Sequence, residues 1–117
     1  MTITLAQRVK KVLSDNKALD MVEMDVSTLT TSFDTMIICT VTSTRHAKSL
    51  SKKLLDALQK ANIQPLGVEG EKFGEWILID LSDVIIHIML QPQRELYHLE
   101  KLWVVTERLH HTRRQKS

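Results

Sequence analysis

Five histidines, one cysteine and a scatter of carboxylates are the side chains with which this chain could do chemistry. A helical metal site needs a pair such as His-x-x-x-His on one face. His46, His87, His98, His110 and His111 supply no such pair, and the adjacent His110 and His111 point apart, so no metal site is expected. A reactive thiol needs an electropositive, partly exposed setting. Cys39 lies instead in the run Ile37-Ile38-Cys39-Thr40, the setting of a small buried hydrophobe. As the sole cysteine it excludes an internal disulfide, which fits a reducing, cytoplasmic compartment. Asp34, Asp80 and Asp83 could hold Mg²⁺ for phosphoryl chemistry, but no glycine-rich phosphate loop accompanies them. The stretch Thr40-Val41-Thr42-Ser43 contains no glycine at all. Asp80 and Asp83 flank a turn, where acids serve turn geometry alone. No catalytic residue and no cofactor is expected.

Two kinds of residue remain after that exclusion. His87 is flanked by Ile86 and Ile88, and its plain reading is a half-buried imidazole satisfied by a neighbouring polar group. The aromatic residues number only five, and Phe73, Trp76, Tyr97 and Trp103 fall within residues 73–103. Trp and Tyr make binding hot spots because each supplies a large contact area with few rotors to freeze. Trp103 reads as core, because Leu96 and Leu99 share its helical face. Tyr97 sits off that stripe beside Glu100 and Lys101, and is expected to face a partner.

The elements that must position these residues follow from hydrophobic spacing. Leu5, Val9, Val12 and Leu13 form one stripe, predicting a helix over 4–16 with Thr4 and Gln7 as a capping box. Val22, Met24 and Val26 alternate with Met21, Glu23 and Asp25, predicting a strand over 21–26. Residues 35–42 read as a strand buried on both sides. Ser43 or Thr44 caps a helix reaching about Ala61, with Ala47, Leu50 and Leu54 inward. A short edge strand is expected at 63–68, where Pro65 cannot donate to a ladder. Residues 75–80 and 84–90 form a hairpin, and a last helix runs from Pro92 to about Trp103. This order predicts an α/β fold, with a mixed sheet of four to five strands and helices packed on it.

At 117 residues the chain is one domain, expected over 1–106, with a basic and disordered tail at 107–117. No apolar run approaches the ~20 residues of a membrane helix, and the N-terminus does not read as a signal peptide. Residues 44–60 sum to +4 through Arg45, Lys48, Lys52, Lys53 and Lys60 against Asp56. Residues 69–83 sum to −4 through Glu69, Glu71, Glu75, Asp80 and Asp83 against Lys72. Such asymmetry suits docking on a basic protein, or a lean toward nucleic acid, as well as two plainly solvated faces.

Three segments together carry a family likeness. They are Pro65-Leu66-Gly67-Val68-Glu69-Gly70, the strand pair from Trp76 to His87, and Arg94-Glu95-Leu96-Tyr97-His98-Leu99-Glu100-Lys101-Leu102-Trp103. With Asp34-Thr35-Met36-Ile37-Ile38-Cys39-Thr40 and Ser43-Thr44-Arg45-His46 upstream, they closely resemble the ribosomal silencing factor family (RsfS, or Iojap-like) over residues 5–104. Val41 and Ser82 depart from it, each standing where the family commonly has glycine.

The resemblance implies a nucleotidyltransferase-like fold without catalytic carboxylates. It also implies binding to the large ribosomal subunit through ribosomal protein fourteen of that subunit, on the face that meets the small subunit. A folded body there blocks joining by bulk alone, and the −4 block would steer it to a basic ribosomal protein. Trp76, Tyr97, Leu99 and Glu100 are then the expected partner-facing or supporting residues, with Asp80 and His87 behind them. Leu99 is claimed both by this carry-over and by the Trp103 stripe. A homodimer and a secondary contact with ribosomal RNA are further implications. Two other readings stay open from the residues alone: a vestigial nucleotidyl-transfer enzyme using Asp34 or Asp80, and an RNA-binding protein working through residues 44–60 and the tail.

Overall fold

Each long helix starts where a hydroxyl can satisfy its free backbone donors. Thr4 precedes α1 (Leu5–Asp15), its Oγ1 accepting from the Gln7 amide at 3.1 Å while its own amide donates to Gln7 Oε1 at 2.9 Å. That is the reciprocal capping box. Ser43 precedes α2 (Thr44–Lys60) and accepts from the His46 amide at 3.0 Å. The computed structural model describes residues 3–100, so the predicted end of the last helix at Trp103 and the basic tail lie outside the described residues.

Between and after these helices run β1 (Leu19–Asp25), β2 (Thr35–Val41), β3 (Gly67–Glu69), β4 (Trp76–Asp80), β5 (Val84–Leu90) and α3 (Gln91–Tyr97). The strands form one mixed sheet in the order β1-β2-β5-β4-β3. Only β2 and β5 run parallel, and they pair in unbroken register from Thr35 with Val84 to Val41 with Leu90. The α/β class and the five-stranded mixed sheet agree with the sequence expectation. Strand alternation sends Ile37, Cys39, Val41, Ile77, Ile79, Ile86 and Ile88 to one face, where Val9, Leu13, Leu50, Leu54 and Leu58 of α1 and α2 cover them. The opposite face carries Met36, Ile38 and Met89 and, among the described residues, is covered only in part, by α3 and Leu99.

Four local expectations are corrected. The edge strand is Gly67–Glu69 rather than 63–68; Ile63 folds onto the core instead, and pairing opens with the Leu66 amide donating to the Asp80 carbonyl at 2.8 Å. β1 starts at Leu19, two residues before the expected 21, through a bulge between Leu19 and Val22 in which Asp20 takes φ +47°. α3 ends at Tyr97 because His98 turns left-handed (φ 46°, ψ 47°) and returns its amide to the Arg94 carbonyl. The break undoes the predicted stripe: Leu96 is 74% exposed, whereas Leu99 packs on the Met36–Ile38–Met89 cluster.

The hairpin turn between β4 and β5 explains how serine replaces the expected glycine. Ser82 stands at φ +77°, a region costly for a side chain. Its amide is held by Asp80 Oδ1 at 2.8 Å, and Leu81 donates to the Val84 carbonyl at 2.9 Å. These local bonds offset the strain.

Candidate partner-docking face

The incompletely covered face of the sheet collects most of the residues singled out above. Trp76 opens β4, and its entry is fixed by Gly70: a Cβ there would lie 2.0 Å from the Trp76 carbonyl oxygen, and φ is +84°. Only glycine fits so close an approach. Opposite, the register pairs Trp76 with Met89 and Leu78 with His87. Trp76 Nε1–H donates to His87 Nδ1 at 2.9 Å. Tyr97 lies tilted against the indole with ring centroids 4.7 Å apart, and remains 51% exposed. Offset aromatic pairs in this range are favourable beyond their burial.

A second network fastens the chain just beyond Tyr97. The Arg94 guanidinium, with its side chain 11% exposed, donates to Thr40 Oγ1 at 2.7 Å, to the Asp20 carbonyl and to Glu100 Oε1 at 2.8 Å. Positions six apart lie on different sides of an unbroken helix. Arg94 and Glu100 therefore meet only because His98 breaks α3. Leu99 is carried down between them onto Met36, Ile38 and Met89. Leu99 is partly buried on the sheet, and Trp103, its expected stripe neighbour, lies outside the described residues.

Trp76, His87, Tyr97, Leu99 and Glu100 are thus brought to one end of one face. Asp80 is not. It shares the face of Trp76 but lies four residues along the strand, about 13 Å away, where its carboxylate closes the hairpin turn. His87 is only 8% exposed and lies under the aromatic pair rather than facing outward. Burial drives its pKa down to about 4, so the imidazole is neutral near pH 7. Burial likewise pushes the Cys39 thiol up to about 12, which makes it inert. The residue that sequence reasoning passed over is Arg94. It stood inside a quoted motif, and a charged side chain ahead of Glu100 was the available signal; the partner geometry required the helix break.

Among the described residues, no three of His, Cys, Asp and Glu stand close enough together to hold a metal ion. An open cleft of about 520 Å³ near Leu55, Asn62, Ile63, Pro65 and Val68 has no acid, base or thiol in its lining. No helix among the described residues is long and apolar enough to cross a membrane. What the face offers, among the described residues, is an aromatic pair on a rigid polar support, with Tyr97 exposed and Trp76 partly buried, a composition common in binding surfaces.

Comparison with known proteins identifies the family. The family model described as "Ribosomal silencing factor during starvation" matches residues 1–117. The ribosomal silencing factor RsfS of Chromobacterium violaceum is 40% identical over 93 residues, covering 80% of this chain and 76% of that protein. A crystal structure of a Chromobacterium violaceum protein superposes with a TM-score of 0.81 at 38% identity, covering 84% of this chain and 82% of the other. A mouse protein named mitochondrial assembly of ribosomal large subunit protein 1 is 35% identical over 75 residues, covering 62% of this chain and 33% of its own length. With a family model spanning the whole sequence and a matching fold, this chain belongs to the ribosomal silencing factor family.

Proposed function

We propose that this chain represses translation by binding the large ribosomal subunit through ribosomal protein fourteen of that subunit and standing where the small subunit must close. The observation that carries the reading is the Trp76–Tyr97 pair, in which Tyr97 is half exposed and Trp76 partly buried, seated on a sheet face that the described residues cover only in part. A surface of this kind fits one partner of about 800 Å² without a catalytic centre. The scaffold, on this reading, is a nucleotidyltransferase-type fold put to a steric use in the cytoplasm. No bond is made or broken: the two subunits cannot approach through a body whose core is packed at crystal-like density. The acidic block at Glu69, Glu71 and Glu75 lies next to Trp76 in the chain and would speed encounter with a basic ribosomal protein.

Sucrose-gradient sedimentation of purified subunits tests the reading. The protein is expected to travel with the large subunit and to lower the yield of joined ribosomes. Failure to co-sediment, or co-sedimentation with unimpaired joining, would refute it. A secondary contact with ribosomal RNA draws on α2, where Arg45, Lys48, Lys52 and Lys53 are exposed and make no ion pair among the described residues. That contact predicts a log-log salt slope steepened by about one per phosphate met, flattened when Lys48 and Lys52 are changed to Gln.

A further inference from the structure

His87 is an expensive residue for its place. It stands in β5 between Ile86 and Ile88, with Ile38 of β2 beside it on one side and Leu78 of β4 on the other. Met36, Ile38 and Met89 form the apolar floor of the same face. An aliphatic side chain would fill such a site with no polar group to desolvate. The imidazole is nonetheless there, 8% exposed, with one hydrogen bond that explains it: its Nδ1 accepts the indole N–H of Trp76. A neutral imidazole has one N–H and one acceptor nitrogen, so this bond assigns the proton to Nε2. The indole is thereby held by a directional bond at one edge and by the tilted Tyr97 ring, with centroids 4.7 Å apart.

We propose that His87 is a positioning residue of the docking face: its Nδ1 locks the Trp76 indole so that Trp76 and Tyr97 stand as a preformed aromatic anchor, while His87 itself touches no partner. The proposal rests on the docking reading above. Its physical content is preorganisation, since a side chain already held in its bound rotamer loses less freedom when the partner arrives.

Two substitutions separate positioning from plain packing. Asn places an acceptor oxygen where Nδ1 stands, and Leu places a methyl there with nearly the same shape. In a buried apolar strand His87→Leu is expected to be at least as stable as the parent, since the freed indole N–H of the partly buried Trp76 can turn to water, and His87→Asn less stable because the smaller amide leaves a void and is costly to desolvate. Affinity should run the other way. For isolated large subunits, His87→Leu is expected to bind about tenfold more weakly, with His87→Asn recovering to within about threefold of the parent. A Trp103→Phe background leaves Trp76 as the single indole. There, His87→Leu should speed solvent exchange of the indole N–H and redden its emission, and His87→Asn should reverse both.

Opposite orders of stability and affinity would establish the proposal. Parent-like affinity in His87→Leu would overturn it and leave the docking reading intact, as would stability and affinity falling together in both variants. A parent that binds no large subunits would overturn the docking reading itself, and the anchor role with it. The indole exchange data would then still report whether His87 holds Trp76.

Discussion

Under α1 and α2 the sheet presents mostly hydrocarbon, from Ile37, Val41, Ile77, Ile79, Ile86 and Ile88, with the Cys39 thiol buried among them. The reverse side mixes Met36, Ile38 and Met89 with Thr40, His87 and the overlying Trp76 and Arg94. One face is closed by many non-directional contacts; the other is ordered by a few directional ones. Hydrophobic burial stabilises without fixing any single side chain in one pose. A hydrogen bond to a buried imidazole or guanidinium contributes little net stability but selects one geometry. The covered face therefore keeps the protein folded, and the half-covered face keeps an aromatic pair in place.

That contrast can be broken or sharpened by experiment. Leu54 of α2 is fully buried among the covered-face side chains. Leu54→Ala is expected to cost about 3–4 kcal/mol in urea unfolding, while the fraction that remains folded binds large subunits normally; a specific loss of affinity would contradict the division of labour. Acid should strike the other face. Burial lowers His87 to about 4 from the ordinary 6.5, so between those values the unfolded chain takes up a proton that the folded chain refuses. Stability from this source is intact above pH 6.5, falls as pH drops, and is fully lost near pH 4, about 3 kcal/mol in all. Urea midpoints measured across this range should show the decline in the parent and not in His87→Leu.

Smaller effects sharpen the docking face itself. Tyr97→Ala is expected to weaken large-subunit binding by about 2 kcal/mol with a nearly unchanged melting temperature; equal loss of both would make Tyr97 a core residue. Glu100→Gln keeps the shape but removes the charge facing Arg94. It should cost about 1 kcal/mol of stability, read by thermal unfolding, with a matching loss of affinity because Leu99 and Tyr97 are tied to the same turn. The least of these changes is Glu69→Gln with Glu71→Gln, expected to slow association a few-fold at low salt and leave dissociation alone, by stopped-flow measurement.

The helix and strand assignments show where local sequence suffices. Thr4 and Ser43 announce their helices because a cap is a matter of three or four neighbouring residues. The alternation of β4 and β5 is likewise local. The shortened edge strand at Gly67–Glu69 was hidden because Ile63 has equally good hydrophobic work to do on the core. The end of α3 was hidden because the run from Leu96 to Trp103 keeps helical spacing on paper.

What the sequence alone determined is the α/β order of elements, the caps, the apolar stripes, and a family likeness borne by several short segments. Each rests on interactions between residues a few positions apart. Only the folded chain decided that His98 would turn left-handed, that Arg94 would reach Thr40 and Glu100, and that His87 would accept from Trp76 across two strands. Those contacts join residues from 6 to 54 positions apart, where the free energy comes from partners that periodicity cannot see.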